Sequence, residues 1–232
     1  MTTFRTTSVG MAFLLSHLAG TAIAQSSAVL DEATLSVSER GTPIGRESFR
    51  IIRAPAPGGQ VFLATGTSVL GDSKLTTRLG TDSSGVPVSY ESEQTLKGRL
   101  FQRLKGQGRP GRFSVLKQTK SGESAREYVL NNGALLMDED VFHHVYFVPI
   151  AAKHDSLVVI APRSAQQGRF RVEDRGLENV DIAGRSIPGR RFALIDSPSA
   201  LREIWVDEKG RLLKVSVPER GLVALRDDPP RE

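Results

Sequence analysis

Ser73, Asp140 and His143 are the residues of this chain whose types could perform catalysis. Ser73 follows Gly71-Asp72 at the end of an apolar run, and Asp140-Val141-Phe142-His143 begins 67 residues later. A serine hydroxyl becomes a nucleophile when a histidine takes its proton and a carboxylate orients that histidine. Ser73, His143 and Asp140 could fill those roles in that order. The simpler reading makes Gly71-Asp72-Ser73 a hairpin turn between residues 68–70 and 75–79.

A metal is the second chemistry to weigh. Asp138, Glu139, Asp140, His143, His144 and His154 form one acid-and-histidine cluster. Adjacent histidines on a helix project about 100° apart at roughly 3.6 residues per turn. Asp140 and His144, four apart, share a helical face. A catalytic zinc needs three protein ligands; Asp140, His144 and His154 supply them only if the fold returns residue 154 to the helix. The alternative is a helix terminus with solvent-facing acids and one histidine hydrogen-bonded within the fold. No cofactor is expected. The chain has no cysteine, so disulfides, thiolate ligands and a thiol nucleophile are excluded.

Two further patterns bear on binding. Residues 97–120 hold eight basic residues and no acid. Lys97, Arg99, Arg103 and Lys105 fall on one side of an ideal strand, with Phe101 among them and Leu96, Leu100 and Leu104 on the other side. Such a face attracts anions, with an anionic envelope surface as the candidate partner. Nucleic acid is not expected, because net charge is modest and aromatics are few. Residues 157–161, Leu-Val-Val-Ile-Ala, lack polar alternation, so both faces of that strand should be dry. Val159 with Met137, Phe142, Tyr146, Phe147 and Trp205 could line a hollow of about 300 to 1,000 Å³ for a hydrophobic or amphiphilic ligand. The default alternative is a filled core.

The elements that must position these residues are mostly strands. Period-two alternation recurs at 33–38, 61–65, 86–93, 169–173 and 212–217. Turn residues separate the runs, as in Gly41-Thr42-Pro43, Asp82-Ser83-Ser84-Gly85, Asn132-Gly133 and Asp207-Glu208-Lys209-Gly210. About a dozen strands with short connections predict an all-β fold: a large curved antiparallel sheet, open or half barrel. Residues 80–89 and 205–216 echo each other as strand, Asp-x-x-Gly, strand, which turn chemistry alone can explain. One segment departs from this. Asp138 to Asp140 suit a helix start, residues 141, 142, 145 and 146 share a helical face, and Pro149 would stop it. The spacing predicts one short helix over about 139–148, against a competing strand over 145–150.

The first residues carry an address. Arg5 precedes an apolar stretch over residues 9–18, and Ala22-Ile23-Ala24 fits a small-x-small cleavage site. That is a secretory signal peptide over 1–24, too short to span a bilayer of about 30 Å. The mature chain then holds 208 residues at net charge +4. It reads as one β domain over 25–226 and a charged, proline-rich tail over 227–232 expected to be disordered. Export without disulfides favours a bacterial periplasm, and the mature chain is not expected to span a membrane.

Two resemblances accompany these readings. Gly71-Asp72-Ser73 and Asp140-Val141-Phe142-His143 are similar to the nucleophile and Asp-x-x-His blocks of GDS-type esterases. That likeness implies an α/β fold with helices between parallel strands, which the strand pattern does not supply. Residues 202–215, Arg-Glu-Ile-Trp-Val-Asp-Glu-Lys-Gly-Arg-Leu-Leu-Lys-Val, resemble the strand-turn-strand ending of periplasmic lipoprotein-carrier-like half-barrels and related uncharacterised secreted bacterial proteins. That likeness implies a helix across a concave sheet and a hollow that holds an acyl chain. The sequence therefore points to a secreted, non-enzymatic protein binding a hydrophobic or amphiphilic ligand. A hydrolase and a structural or interaction module of the cell envelope are the alternatives.

Overall fold

In the computed structural model, which describes residues 27–57, 59–130, 133–152, 156–197 and 200–231, the alternating runs become fifteen strands. The first eight are β1 Ala28–Glu39, β2 Thr42–Ala56, β3 Gly59–Leu70, β4 Ser73–Asp82, β5 Pro87–Leu96, β6 Arg99–Arg109, β7 Arg112–Thr119 and β8 Gly122–Val129. The remainder are β9 Leu135–Leu136, β10 Leu157–Ala161, β11 Gln166–Ile182, β12 Arg185–Ser197, β13 Ala200–Val206, β14 Leu212–Val217 and β15 Leu222–Arg226. They pair in the order 8-7-6-5-4-3-2-1-15-14-13-12-11-10-9. The short β9 runs parallel to β10; the other pairs are antiparallel.

The sheet curls until its two ends approach. Lys117 Nζ of β7 donates to the Arg163 carbonyl at 3.0 Å, and Gln167 Nε2 of β11 donates to the Val129 carbonyl of β8 at 3.0 Å. Side chains rather than a backbone ladder bridge this seam, so the sheet is not a closed barrel. Successive hairpin turns of a meander fall at alternate ends of a sheet. The turns at 40–41, 71–72, 97–98 and 120–121 therefore share one end. Glu39 pairs with Leu222, which brings the turn at 218–221 to the same end.

The helical segment lies inside the curve. A 3₁₀ helix spans His143–Phe147 and α1 spans Val148–Ala151. It starts later than expected, and its start is not capped by Asp138, whose carboxylate is bound elsewhere. Nor does Pro149 stop it. Pro149 occupies the first turn of α1, where no amide donor is needed and its fixed φ suits a helix. The competing strand over 145–150 does not form. Val145, Phe147 and Val148 join inner-face residues such as Leu35, Ile51, Leu79 and Phe113 in one core. Burying each such side chain contributes about 1.5–3 kcal/mol. Residues 133–152 thus form an interior plug: β9, a turn at 138–141, then the two helical turns.

Four further placements refine the sequence reading. β10 is buried along nearly its whole length although it lies one strand from the sheet end. The echoing turns are the same device: Asp82 Oδ1 accepts from the amides of Ser84 and Val86, and Asp207 Oδ1 from those of Lys209 and Arg211. The tail through residue 231 is not loose. Asp227 N donates to Thr34 O at 2.9 Å and Ser36 Oγ to Asp227 Oδ1 at 2.6 Å. The signal peptide over 1–24, Asn132 and His154 lie outside the described residues.

Candidate functional site

Two carboxylates hold the plug in place. Glu47 comes from β2, where it shares the inward phase with Phe49 and Ile51. Its carboxylate accepts from the amides of Phe142 (2.9 and 3.0 Å) and His143 (2.7 Å), and lies 3.1 Å from His143 Nδ1. An acid on a neighbouring strand thereby satisfies the amides that open the 3₁₀ helix, in place of a local cap. Phe49 stacks on the His143 ring, with centroids 5.7 Å apart and planes 7° apart. Gly66 of β3 lies against the same ring; an added Cβ would come within 2.7 Å of Nδ1. Asp138 takes the Tyr90 hydroxyl at 2.5 Å and the Arg163 amide at 2.9 Å. Burial pushes the pKa of Asp138 up, opposed by its hydrogen bond from Tyr90. His144 is buried with both ring nitrogens unpartnered among the described residues. Burial holds it well below the ordinary histidine pKa, with His143 adding to the effect.

The proposed triad is not assembled. Ser73 Oγ accepts from Gln94 Nε2 at 2.9 Å, and Asp140 Oδ1 accepts from Arg220 Nη1 at 3.0 Å. The two nitrogens of His143 face Glu47 and Thr77, the latter at 3.5 Å. The physical reason is direction: Asp140 stands at a left-handed turn (φ 58°) on the rim, while His143 points into the core. Thr77–His143–Glu47 has the residue types of a nucleophile chain, yet the ring is packed on all sides and its hydroxyl contact is at the limit of a hydrogen bond. Its evident role is to hold the plug. Of the metal trio, Asp140 and His144 face different surroundings, and His154 lies outside the described residues. Asp140 is engaged with Arg220, His144 is in the core, and no group of three or more His, Asp or Glu suited to a metal occurs among the described residues.

The expected hollow is filled by the chain itself. Met137, Phe142, Tyr146, Phe147 and Val159 are buried in the main core, with Phe142 also on the wall of the opening between the plug and β13–β15. Trp205 belongs to the other face. Its neighbours on β13, Ile204 and Val206, point to the main core, whereas Trp205 packs with Val180, Ile182 and Leu213 in a second cluster. Arg191 and Lys214 cover its ring at 5.2 and 4.4 Å.

An opening remains where the plug meets β13–β15. This mouth, about 410 Å³, has walls of Val141, Phe142, Val145, Val215, Val217 and Leu222. Asp138, Glu139 and Asp140 border it, as do Arg202 of β13 and Arg220 of the 218–221 turn. Arg220 is engaged with Asp140 and, at 3.5 Å, Glu39. Arg202 forms no ion pair among the described residues, and burial lowers its pKa. An arginine remains charged through any such shift. The result is an apolar pocket whose border carries two guanidinium groups and three carboxylates, with Glu139 foremost among the acids that act on Arg202.

The basic face is less basic than its spacing implies. Arg103 Nη2 meets Glu93 Oε2 of β5 at 2.6 Å, and Lys105 pairs across the ladder with Glu91. Lys97 is not on a strand; it sits in the turn at φ 49°, 3.7 Å from Asp72. Thr95 pairs with Leu100 and Gln94 with Gln102, so Phe101 is an extra residue in β6. Such a bulge resets the alternation, and Arg99 does not continue the side occupied by Arg103 and Lys105. Of the three leucines expected on the side opposite the basic residues, Leu104 is buried while Leu96 and Leu100 are exposed.

Sequence reasoning missed Glu47, Tyr90, Arg202 and Arg220. Glu47 had a signal, an acid in phase with Phe49 and Ile51. Arg202 and Arg220 had none, because only sheet pairing brings them to residues 138–142. In comparison with known proteins, no family model and no curated protein matches this chain. A similar solved structure is a beta-barrel-like protein of a domain of unknown function, DUF1849, from Brucella abortus. It shares 9% identity at a TM-score of 0.51, covering 84% of this chain and 93% of that one. At that identity the likeness establishes a shared beta-barrel-like fold alone.

Proposed function

We propose that this is a non-enzymatic protein of the bacterial envelope that binds an amphiphile with an anionic head in the mouth between the plug and β13–β15. The observation that carries this reading is Arg202, which makes no ion pair within 4 Å among the described residues although Glu139 and Asp140 lie near it, beside six apolar side chains in a pocket of about 410 Å³. A guanidinium offers a planar fork to carboxylate or phosphate, and the apolar wall offers an acyl chain a dry surface. The volume falls within the usual range of about 300 to 1,000 Å³ for small-ligand sites. The signal-peptide pattern supports export. The filled interior argues for a shallow site rather than a deep carrier hollow. It is also what favours the second reading, a structural or interaction module of the envelope.

The test is native mass spectrometry of the protein from its own cells, with lipid extraction, alongside displacement of a fluorescent fatty acid. Bound acyl species, and a loss of probe affinity of about tenfold or more in Arg202→Ala, are expected. A clean unliganded mass together with no probe binding would exclude the amphiphile and leave the interaction module.

A further inference from the structure

We infer that the end of the sheet bearing the mouth docks on an anionic bilayer through the β3–β4 and β5–β6 hairpin ends. The ligand source this supplies rests on the proposed function; the docking itself stands on other residues. Val69, Leu96, Leu100 and Phe101 are 44%, 37%, 44% and 48% exposed. Leu96, Leu100 and Phe101 belong to the β5–β6 hairpin end, and Val69 to the β3–β4 end, which is its neighbour in the sheet. Ser73 pairs with Leu96, and Lys97 N donates to the Asp72 carbonyl at 3.0 Å. The bulge at Phe101 then sets two consecutive apolar side chains, Leu100 and Phe101, at the surface.

The charge around this apolar group selects the partner. Lys74, Lys97 and Arg99 lie in these two hairpin ends, and within residues 69–74 and 95–101 Asp72 is the one acid. The Lys97–Asp72 pair is exposed on both sides and holds its charges weakly. Further along β6, Arg103 is matched by Glu93 and Lys105 lies opposite Glu91. The unmatched positive charge is therefore concentrated at the hairpin ends, where the apolar side chains are. Arg40 and Lys120, in the turns at 40–41 and 120–121, lie at the same end of the sheet, as do Glu39, Glu123 and Glu219, so the excess of positive charge is confined to the β3–β4 and β5–β6 ends. Apolar side chains inserted at headgroup depth, ringed by Lys and Arg, match an anionic lipid surface: the first gain from burial, the second from the surface potential. The mouth at Arg202 and Arg220 opens at this end, beside the turn at 218–221. An amphiphile leaving the leaflet would reach it without crossing bulk water.

Sedimentation of the purified protein with vesicles tests this. Phosphatidylcholine vesicles are compared with vesicles of equal parts phosphatidylcholine and phosphatidylglycerol. Binding to the anionic vesicles alone, weakened by salt, is expected. Leu100→Ser/Phe101→Ser should weaken it by about tenfold, and Lys97→Glu/Arg99→Glu should abolish it. Circular dichroism confirms that each variant is folded, and Val129→Ser, exposed at the other end of the sheet, serves as the matched control that retains binding. Equal binding to both vesicles, no binding by the parent, or undiminished binding by the Leu100→Ser/Phe101→Ser variant would overturn the inference. So would dimerisation without vesicles that the Phe101 substitution abolishes, which would assign the patch to a second copy. Arg202→Ala separates the two proposals: it should lose the soluble fatty-acid probe while sedimenting with vesicles as the parent does.

Discussion

Asp138 and Asp140 stand two residues apart and both border the mouth, yet they anchor different parts of the molecule. Asp138 is fully buried, bonded to Tyr90 and to the Arg163 amide. Asp140 sits at the rim, paired with Arg220. Between them the chain passes from an interior it closes to a mouth it borders. On the interior side every carboxylate has a structural partner and the space is full. On the mouth side Arg202 stands beside an apolar wall with no ion pair among the described residues, though Glu139 and Asp140 lie near it. The same segment therefore removes one binding site and creates another, and polar groups on the two sides should answer mutation differently.

The largest contrast is expected at Glu47. Glu47→Ala leaves the amides of Phe142 and His143 buried without an acceptor, and should cost about 3–5 kcal/mol in urea unfolding. Gly66→Ala pushes a methyl against the His143 ring and should cost about 1–3 kcal/mol, measured the same way. A loss under about half a kcal/mol at either position would mean that the plug is not held as described.

Acid gives a finer contrast. The folded-state pKa of His144 lies below its ordinary 6.5, so the unfolded chain takes up the proton first. Stability is complete above that value and falls as pH drops beneath it, by up to about 1.4 kcal/mol per pH unit. Asp31 and Asp138 are raised above 3.8 by burial; their contribution runs the other way, fully present at low pH and lost as pH rises past that value. The difference between the parent and His144→Leu isolates the histidine. Melting temperatures should drop in the parent on going about one pH unit below 6.5 and drop less in the variant. Equal drops would remove His144 as the source. The smallest effect is expected at the mouth: Arg202→Ala should change stability by no more than about 0.5 kcal/mol while removing ligand affinity.

The sheet was legible because alternation and turn chemistry are local. Asp82 and Asp207 build the same turn from the same four-residue pattern, and the inward phase of β2 marks Glu47 beside Phe49 and Ile51. The plug was only half legible. Its helical content follows from residues 141–148, but its start depends on a carboxylate some 95 residues upstream. Its position inside the curve follows from the seam between β7–β8 and β10–β11, which no spacing encodes. The hollow inferred from Met137, Phe142, Tyr146, Phe147 and Val159 failed for that reason: apolar residues that could line a cavity are the same ones that fill it. The basic run misled differently, since one extra residue at Phe101 resets the alternation and acids on β5 offset its charge.

The central claim is that ligand enters the mouth and not the interior. Quenching by a fatty acid brominated on its chain reads this directly, because the chain holds a single tryptophan, Trp205, on the opposite face of the sheet. In a Trp205→Phe background, Val217→Trp reports on the mouth and Phe147→Trp on the core. The account predicts strong quenching in the Val217→Trp variant, and none in the Phe147→Trp variant or the parent. Quenching at position 147, or none at 217, would contradict it.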